Sequence, residues 1–242
     1  MKKNIFILGA NSDLAKSLSL DLASDGYDLT LFSRNINSIK THIIKLRNEF
    51  NVSVKAYEIE LNNINLKIEN IDLSNLYGII CCAGYLGNQQ KATIDKKEVD
   101  NIFNSNFIGI IKFIDLFKFE LLKKNQGFIL GVSSIAGTRG RKKNYYYGSA
   151  KAALTNYLSG LRSDLLKNKI DVFTVLPGFI DTKMIKNFRT PSFFTIQPEV
   201  LSKIIILSIK KRRLIIYQSL TWKIIDFIIK NIPEFIFKKI PF

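Results

Sequence analysis

The stretch "NIFILGANSDLAKS", residues 4–17, runs from a short apolar segment through a glycine into Asn, Ser and Asp and then into a helical pattern. With the basic residues ahead of it, the apolar run imitates a secretion signal, but Asn11, Ser12 and Asp13 interrupt it almost at once. It reads instead as a buried strand followed by a turn. Gly9 permits a tight turn, and Asn11, Ser12 and Asp13 suit the cap of the helix that follows, whose N-terminal N–H groups and dipole favour a pyrophosphate. Asp13 also brings negative charge to that spot, so a plain capping loop stays open as a reading.

The same rhythm repeats outward from this unit. "LTLF", "SVKAYEI", "YGIICC", "GFILGV", "DVFTVL" and "LIIY" are short apolar runs separated by helical patterns. Strands alternating with helices predict an α/β fold: one doubly wound, mainly parallel sheet of about seven strands, helices on both faces, and a ligand beyond the carboxyl ends of the strands. A chain of 242 residues, 47% hydrophobic and 23% charged, suits one such globular domain, taken as 1–217, with 218–242 as its C-terminal extension. The only cysteines, Cys81 and Cys82, are adjacent and cannot form an ordinary bridge, which fits a reducing cytoplasm. His42 is the single histidine and lies on an amphipathic segment, so neither a His-based triad nor a zinc site is expected.

The residues after each strand are then the candidates. Ser33 and Arg34 follow the second strand; an arginine there can pair with a 2′-phosphate, where a carboxylate would hold a ribose hydroxyl, which favours NADP and leaves NAD open. Ala83 and Gly84 follow the fourth and let a nucleotide approach the backbone, although a turn without a ligand explains them equally well. Asn104 and Asn106 sit in "NSNFIG", placed near the polar side of a long helix. Ser133 and Ser134 end the fifth strand. In "NYYYGSAK", residues 144–151, only Tyr147 has a lysine four residues on, Lys151, on the same helical face. A phenol titrates near pH 10, so a nearby cation would make it a better acid. Pro177 and Gly178 break the pattern after the sixth strand.

Taken together, the paired serines ahead of "YGSAK", the preceding "NFIG" and the later "PGFIDT" resemble the short-chain dehydrogenase/reductase family, in family order, to about residue 217. The resemblance implies that Tyr147 is the general acid and that Ser134 holds the substrate oxygen. It implies that Lys151 binds the nicotinamide ribose and lowers the tyrosine pKa, and that Asn106 supports a proton-relay water. It further matches Gly9, Asn11, Ser12 and Leu14 to the phosphate turn and Ala83 and Gly84 to the adenine side; Asp13, Ser33 and Arg34 are counted with them as cofactor-binding residues from their places after the first and second strands. Tyr147 and Lys151 also contact the cofactor, and Pro177, Gly178, Ile180 and Thr182 line the nicotinamide pocket. Asp13 and Ala15 stand where the family has its second and third turn glycines, Cys82 replaces an asparagine, and Glu60 stands where an aspartate is usual.

Beyond the last strand, "TWKIIDFIIKNIPEFIFKKIPF", residues 221–242, interleaves aromatic and aliphatic residues with lysines and is too often interrupted to span a bilayer. It suits the membrane interface, a lipid-binding cleft, or a helix pair packed on the core or on another subunit. This tail and "GTRGRKKNYYYGSAK" resemble a bacterial subgroup that includes decaprenylphosphoryl-2-keto-pentofuranose reductase. That implies NADPH-dependent reduction of a keto-sugar, free or lipid-linked, in envelope polysaccharide synthesis. A lipid, acyl or steroid-like ketone and a noncatalytic dinucleotide-binding role are the alternatives. The net charge of +16 fits an anionic membrane partner or the codon bias of an AT-rich genome. Nucleic acid is not expected as a partner; a homo-oligomer is, in the cytoplasm, with a peripheral place on the inner membrane surface left open.

Overall fold

In the computed structural model, which describes residues 2–64, 66, 68–185 and 191–240, the elements follow in the order β1 (Asn4–Leu8), α1 (Asp13–Ser24), β2 (Asp28–Ser33), α2 (Lys40–Glu49), β3 (Val54–Glu58) and β4 (Leu76–Cys81). Then come α3 (Gln89–Ala92), α4 (Lys96–Phe103), α5 (Gly109–Lys124), β5 (Gly127–Val132), α6 (Tyr145–Asp164), β6 (Ile170–Leu176), β7 (Phe179–Ile180) and β8 (Thr195–Ile196). The chain continues with α7 (Pro198–Lys210), β9 (Ile215–Tyr217), α8 (Leu220–Asn231) and α9 (Glu234–Phe237). Seven strands form one sheet in the order β3-β2-β1-β4-β5-β6-β9, and every neighbouring pair is parallel. The strand order reverses between β1 and β4, which opens a crevice at their carboxyl ends.

β1 is buried along its whole length, and the strand period of two sends its side chains alternately into two cores. Ile5 and Ile7 pack with Leu14, Leu18 and Leu22 of α1 and with Leu201 and Ile205 of α7. Phe6 and Leu8 face Ile110, Phe113 and Phe117 of α5 and Leu154 and Leu158 of α6. Phe6, Phe32, Phe113 and Phe117 meet edge-on or tilted at 4.9–5.7 Å between centroids, an arrangement that adds to the stabilisation from burial alone.

Three features depart from the sequence reading. The long helix expected around "NSNFIG" is two helices, α4 and α5, joined by a π-helical turn over Asn104–Ile108. Asn106 is not on a polar side; it is fully buried, its amide serving the backbone of a neighbouring loop at Tyr85 and of its own helix at Ile102. A second ribbon, β7 paired in parallel with β8, was also not foreseen.

The tail is the helix pair α8 and α9; Pro241 and Phe242 at its end, like Met1, lie outside the described residues. Ser219 caps α8 by accepting from the Trp222 N–H at 3.3 Å. Asp226 is buried and accepts from Tyr217 Oη and Lys230 Nζ, both at 2.8 Å, and from the Thr138 hydroxyl. Burial alone would raise this carboxyl, but those donors hold it below the usual range. Arg139 donates to the Ile229 and Ile232 carbonyls and to Glu234 and lies 4.0 Å from the Phe237 ring centre, so the loop after β5 grips both tail helices. Among the described residues no helix is long and apolar enough to cross a membrane.

Candidate active site

The crevice at the strand ends is a cleft of about 870 Å³. On the β1 side, Gly9 has φ +79°, and a Cβ there would lie 2.6 Å from the Ala83 nitrogen. The turn can therefore pass this close to the end of β4 only as glycine. Ser12 caps α1, accepting from Ala15 N–H at 3.2 Å. Asp13 lines the cleft, and its Oδ2 accepts from the Lys183 backbone N–H at 3.0 Å. The carboxylate thus ties the turn after β1 to the loop after β7. Asn11 and Leu14 complete this wall, Ser33 and exposed Arg34 stand at the end of β2, and Ala83 and Gly84 at the end of β4. Pro177, Gly178, Ile180 and Thr182 line the opposite side, and Glu60 also reaches the cleft.

Of the three tyrosines, only Tyr147 lines the cleft. Tyr145 is exposed and stacks tilted on Tyr146, which packs with Ala92, Ile102 and Ala150 away from it. Burial pushes the Tyr147 phenol up to about 12, with the neighbouring Ser134 hydroxyl working the other way. The phenol is therefore protonated at neutral pH. Lys151 Nζ donates to the Val132 carbonyl at 2.9 Å and lies 5.8 Å from the Tyr147 ring centre. Ser133 is spent on structure, bonding the Lys151 carbonyl at 2.9 Å and Thr155 at 2.6 Å. A buried hydroxyl, a phenol and an ammonium side by side on one wall form a set able to bind and protonate a carbonyl oxygen.

Residues 3–192 match the model of the short chain dehydrogenase family. The chain belongs to the short-chain dehydrogenase family. An uncharacterized oxidoreductase of Mycobacterium tuberculosis is 22% identical over 245 residues, covering 98% of this chain and 96% of that one. The NADP-dependent 3-hydroxy acid dehydrogenase of Schizosaccharomyces pombe is 26% identical over 188 residues, 75% of this chain and 73% of its own. A short-chain dehydrogenase from Sphingobium yanoikuyae, solved in complex with NADPH, shares the fold with a TM-score of 0.80 at 19% identity, over 96% of this chain and 97% of that one. This chain, too, is an oxidoreductase of the short-chain dehydrogenase type.

Within this short-chain dehydrogenase, Asn106 stands apart from the other candidates. Its Nδ2 donates to the carbonyls of Tyr85 at 2.6 Å and Ile102 at 2.7 Å, and its Oδ1 accepts from Tyr85 N–H at 3.2 Å. The side chain therefore pins the loop after β4, and it lies beneath the cleft wall rather than on it. Trp222, Arg141 and Asn144 line the cleft although the sequence reading gave them no role there. The Trp222 indole packs on Gly178, where a Cβ would lie 2.1 Å from the ring, and its N–H donates to the Phe194 carbonyl at 3.1 Å. The tail thus supplies a wall of the site.

Charge in the site follows from burial. Lys151, 2% exposed, is lowered by desolvation to about 8, and burial pushes the Cys82 thiol up to about 12, so both cysteines stay protonated and inert at neutral pH. His42, bonded to Ser19 at 2.6 Å, is pushed down to about 4, by burial first and then by Lys16 and Lys45, and is neutral. Between about pH 8 and 10.5 the unfolded chain holds the Lys151 proton and the folded chain does not. Its contribution to stability therefore rises with pH across that window, by up to about 1.4 kcal/mol per unit. Chemical denaturation at pH 7.5 and 9.5 should show a gain in the wild type that Lys151→Met lacks; equal gains would contradict a buried, depressed lysine.

Proposed function

We propose that the protein is an NADPH-dependent reductase of a keto-sugar carried on a polyprenyl phosphate, acting in bacterial envelope polysaccharide synthesis. The observation that carries the sugar is Asn144. Its Oδ1 is buried on the wall shared with Tyr147 and has no partner among the described residues, and the side chain makes no cap bond although it sits at the start of α6. A buried acceptor left unmet is costly, and a substrate hydroxyl would satisfy it. Gly9, Ser12 and the first turn of α1 would hold the pyrophosphate and Arg34 the 2′-phosphate, consistent with the cradle that only glycine fits at position 9. When bound, the cofactor supplies hydride. Ser134 then orients the ketone oxygen, Tyr147 donates the proton, and the Lys151 ammonium, at its pKa of about 8, stabilises the phenolate left behind. Expected of purified protein is oxidation of NADPH with keto-sugars and not with their alcohols; inertness toward the whole panel would overturn the assignment.

The lipid carrier is supported by α8. Leu220, Ile224, Phe227 and Ile228, spaced as one helical face, are 51–71% exposed, and Phe235 and Ile236 continue the surface. Lys223, Lys230, Lys238 and Lys239 flank it. Lysines add roughly 1 kcal/mol each near anionic lipid, and the apolar side chains add burial. Because Trp222 and Asp226 of the same helix are buried, point changes test this face better than deletion. Ile224→Asp combined with Phe227→Asp should abolish sedimentation with phosphatidylglycerol vesicles at low salt without lowering Tm. If the wild type ignores such vesicles, this part of the reading fails and residues 218–242 serve only as a packed part of the single domain. A homo-oligomer is equally part of the reading, since the same face could cover a second copy; sizing with and without vesicles separates the two.

A further inference from the structure

Glu98 of α4 is a carboxylate only 3% exposed, and the catalytic set does not use it. Its Oε1 accepts from the Asn88 N–H at 2.7 Å and from the Tyr85 hydroxyl at 2.9 Å, and Lys91 Nζ lies 3.8 Å from its Oε2. One buried acceptor therefore gathers both ends of the loop from Tyr85 to Asn88, and a bond to a charged group is stronger than one between neutral groups. Asn106 holds the same loop at the Tyr85 backbone. Asn88 in turn caps α3, accepting from the Lys91 N–H at 2.8 Å, which fixes the backbone at Gln89, the first residue of α3. From there the Gln89 side chain reaches α6, where its Oε1 accepts from the Tyr146 N–H at 3.3 Å. Its Nε2 is buried and has no partner among the described residues, so the amide is held by its oxygen.

A helix leaves its first N–H groups without partners of its own, and the side chain just before it ordinarily fills one of them. Asn144 holds that place before α6 and makes no such bond. The vacancy is filled from another element, at the residue next to Tyr147. We propose that Gln89 is a positioning residue for Tyr147, capping α6 in place of Asn144, and that Glu98 sets where this cap stands by holding the loop that carries it. The arrangement leaves the Asn144 side-chain oxygen free on the cleft wall and still steadies the first turn of α6, in which Tyr147 is the third residue. Without the cap that turn frays, and a misplacement of about 1 Å at a reacting group can cost up to about a hundredfold in rate.

The inference rests on Tyr147 as the acid, so one of its readouts needs no turnover. Gln89→Leu keeps most of the side-chain volume and removes the acceptor. It should speed amide hydrogen exchange at residues 145–148 and lower kcat for NADPH oxidation with the keto-sugar panel by about tenfold, with KM for NADPH and Tm unchanged. Glu98→Leu, which strips the loop of its acceptor, should reproduce the faster exchange and the lower kcat, and Glu98→Gln, which keeps Oε1 as an acceptor, should restore both. Wild-type exchange or wild-type kcat in Gln89→Leu overturns the inference, and so does a loss of kcat matched by a loss of Tm or of NADPH affinity, which a merely structural contact would give. Glu98→Gln behaving as Glu98→Leu overturns the part assigned to Glu98. Tyr147→Phe measured alongside separates the two readings: if it is inactive while Gln89→Leu is fully active, the cap alone fails, and if it is active, the acid assignment fails and the inference with it.

Discussion

Tyr147→Phe is expected to lower kcat by about 10³-fold, within the usual contribution of a positioned acid, with NADPH affinity nearly unchanged. The change removes one hydroxyl and little volume, and among the described residues that hydroxyl makes no hydrogen bond to the backbone of the core, so the fold should survive. Tyr145→Phe and Tyr146→Phe serve as controls. Tyr145 is exposed and Tyr146 packs away from the cleft, so each should stay within about twofold of the wild type. Steady-state rates with a ketone substrate and cofactor titrations read both quantities, and near-normal turnover in Tyr147→Phe would show that another group protonates the oxygen.

The second large effect is on cofactor choice. Arg34 stands exposed at the end of β2 on the cleft wall, beside Ser33, whose hydroxyl is turned to the Asn35 carbonyl at 3.2 Å. An exposed charge-assisted pair is worth about 1–2 kcal/mol, which corresponds to roughly five- to thirtyfold in affinity. Arg34→Ala should raise KM for NADPH by that factor and leave NADH almost untouched. Equal effects on the two cofactors would remove the reason for preferring NADP.

How far the sequence could be read depended on the range of the contacts involved. The strands of the main sheet were legible because burial on both faces leaves near-continuous apolar runs, and β5 and β6 fall within a residue of "GFILGV" and "DVFTVL". Tyr147 was legible through a four-residue spacing. Asn106 was misplaced because its side chain is held by Tyr85, a loop residue 21 positions away whose approach no local pattern encodes, as well as by its own helix at Ile102. Trp222 and Arg141 were missed as cleft residues for the same reason, since the tail must fold back onto Gly178 and Phe194 before either wall exists. The ribbon of β7 and β8 has two residues per strand, too few for a period to show. The acid in the turn after β1 acquired a meaning only in three dimensions, where Asp13 clasps the loop at Lys183.

The central claim is that this cleft reduces a ketone and does more than bind a dinucleotide. The most direct measurement incubates purified protein with NADPH deuterated at the transferable C4 position and a panel of keto-sugars, free and prenyl-phosphate-linked, and follows the product by mass spectrometry. Predicted is an alcohol one deuterium heavier at the former carbonyl carbon, formed in equal amount to the NADPH consumed and abolished in Tyr147→Phe. Tight NADPH binding with no label transferred to any ketone would contradict the account and identify a noncatalytic dinucleotide-binding protein.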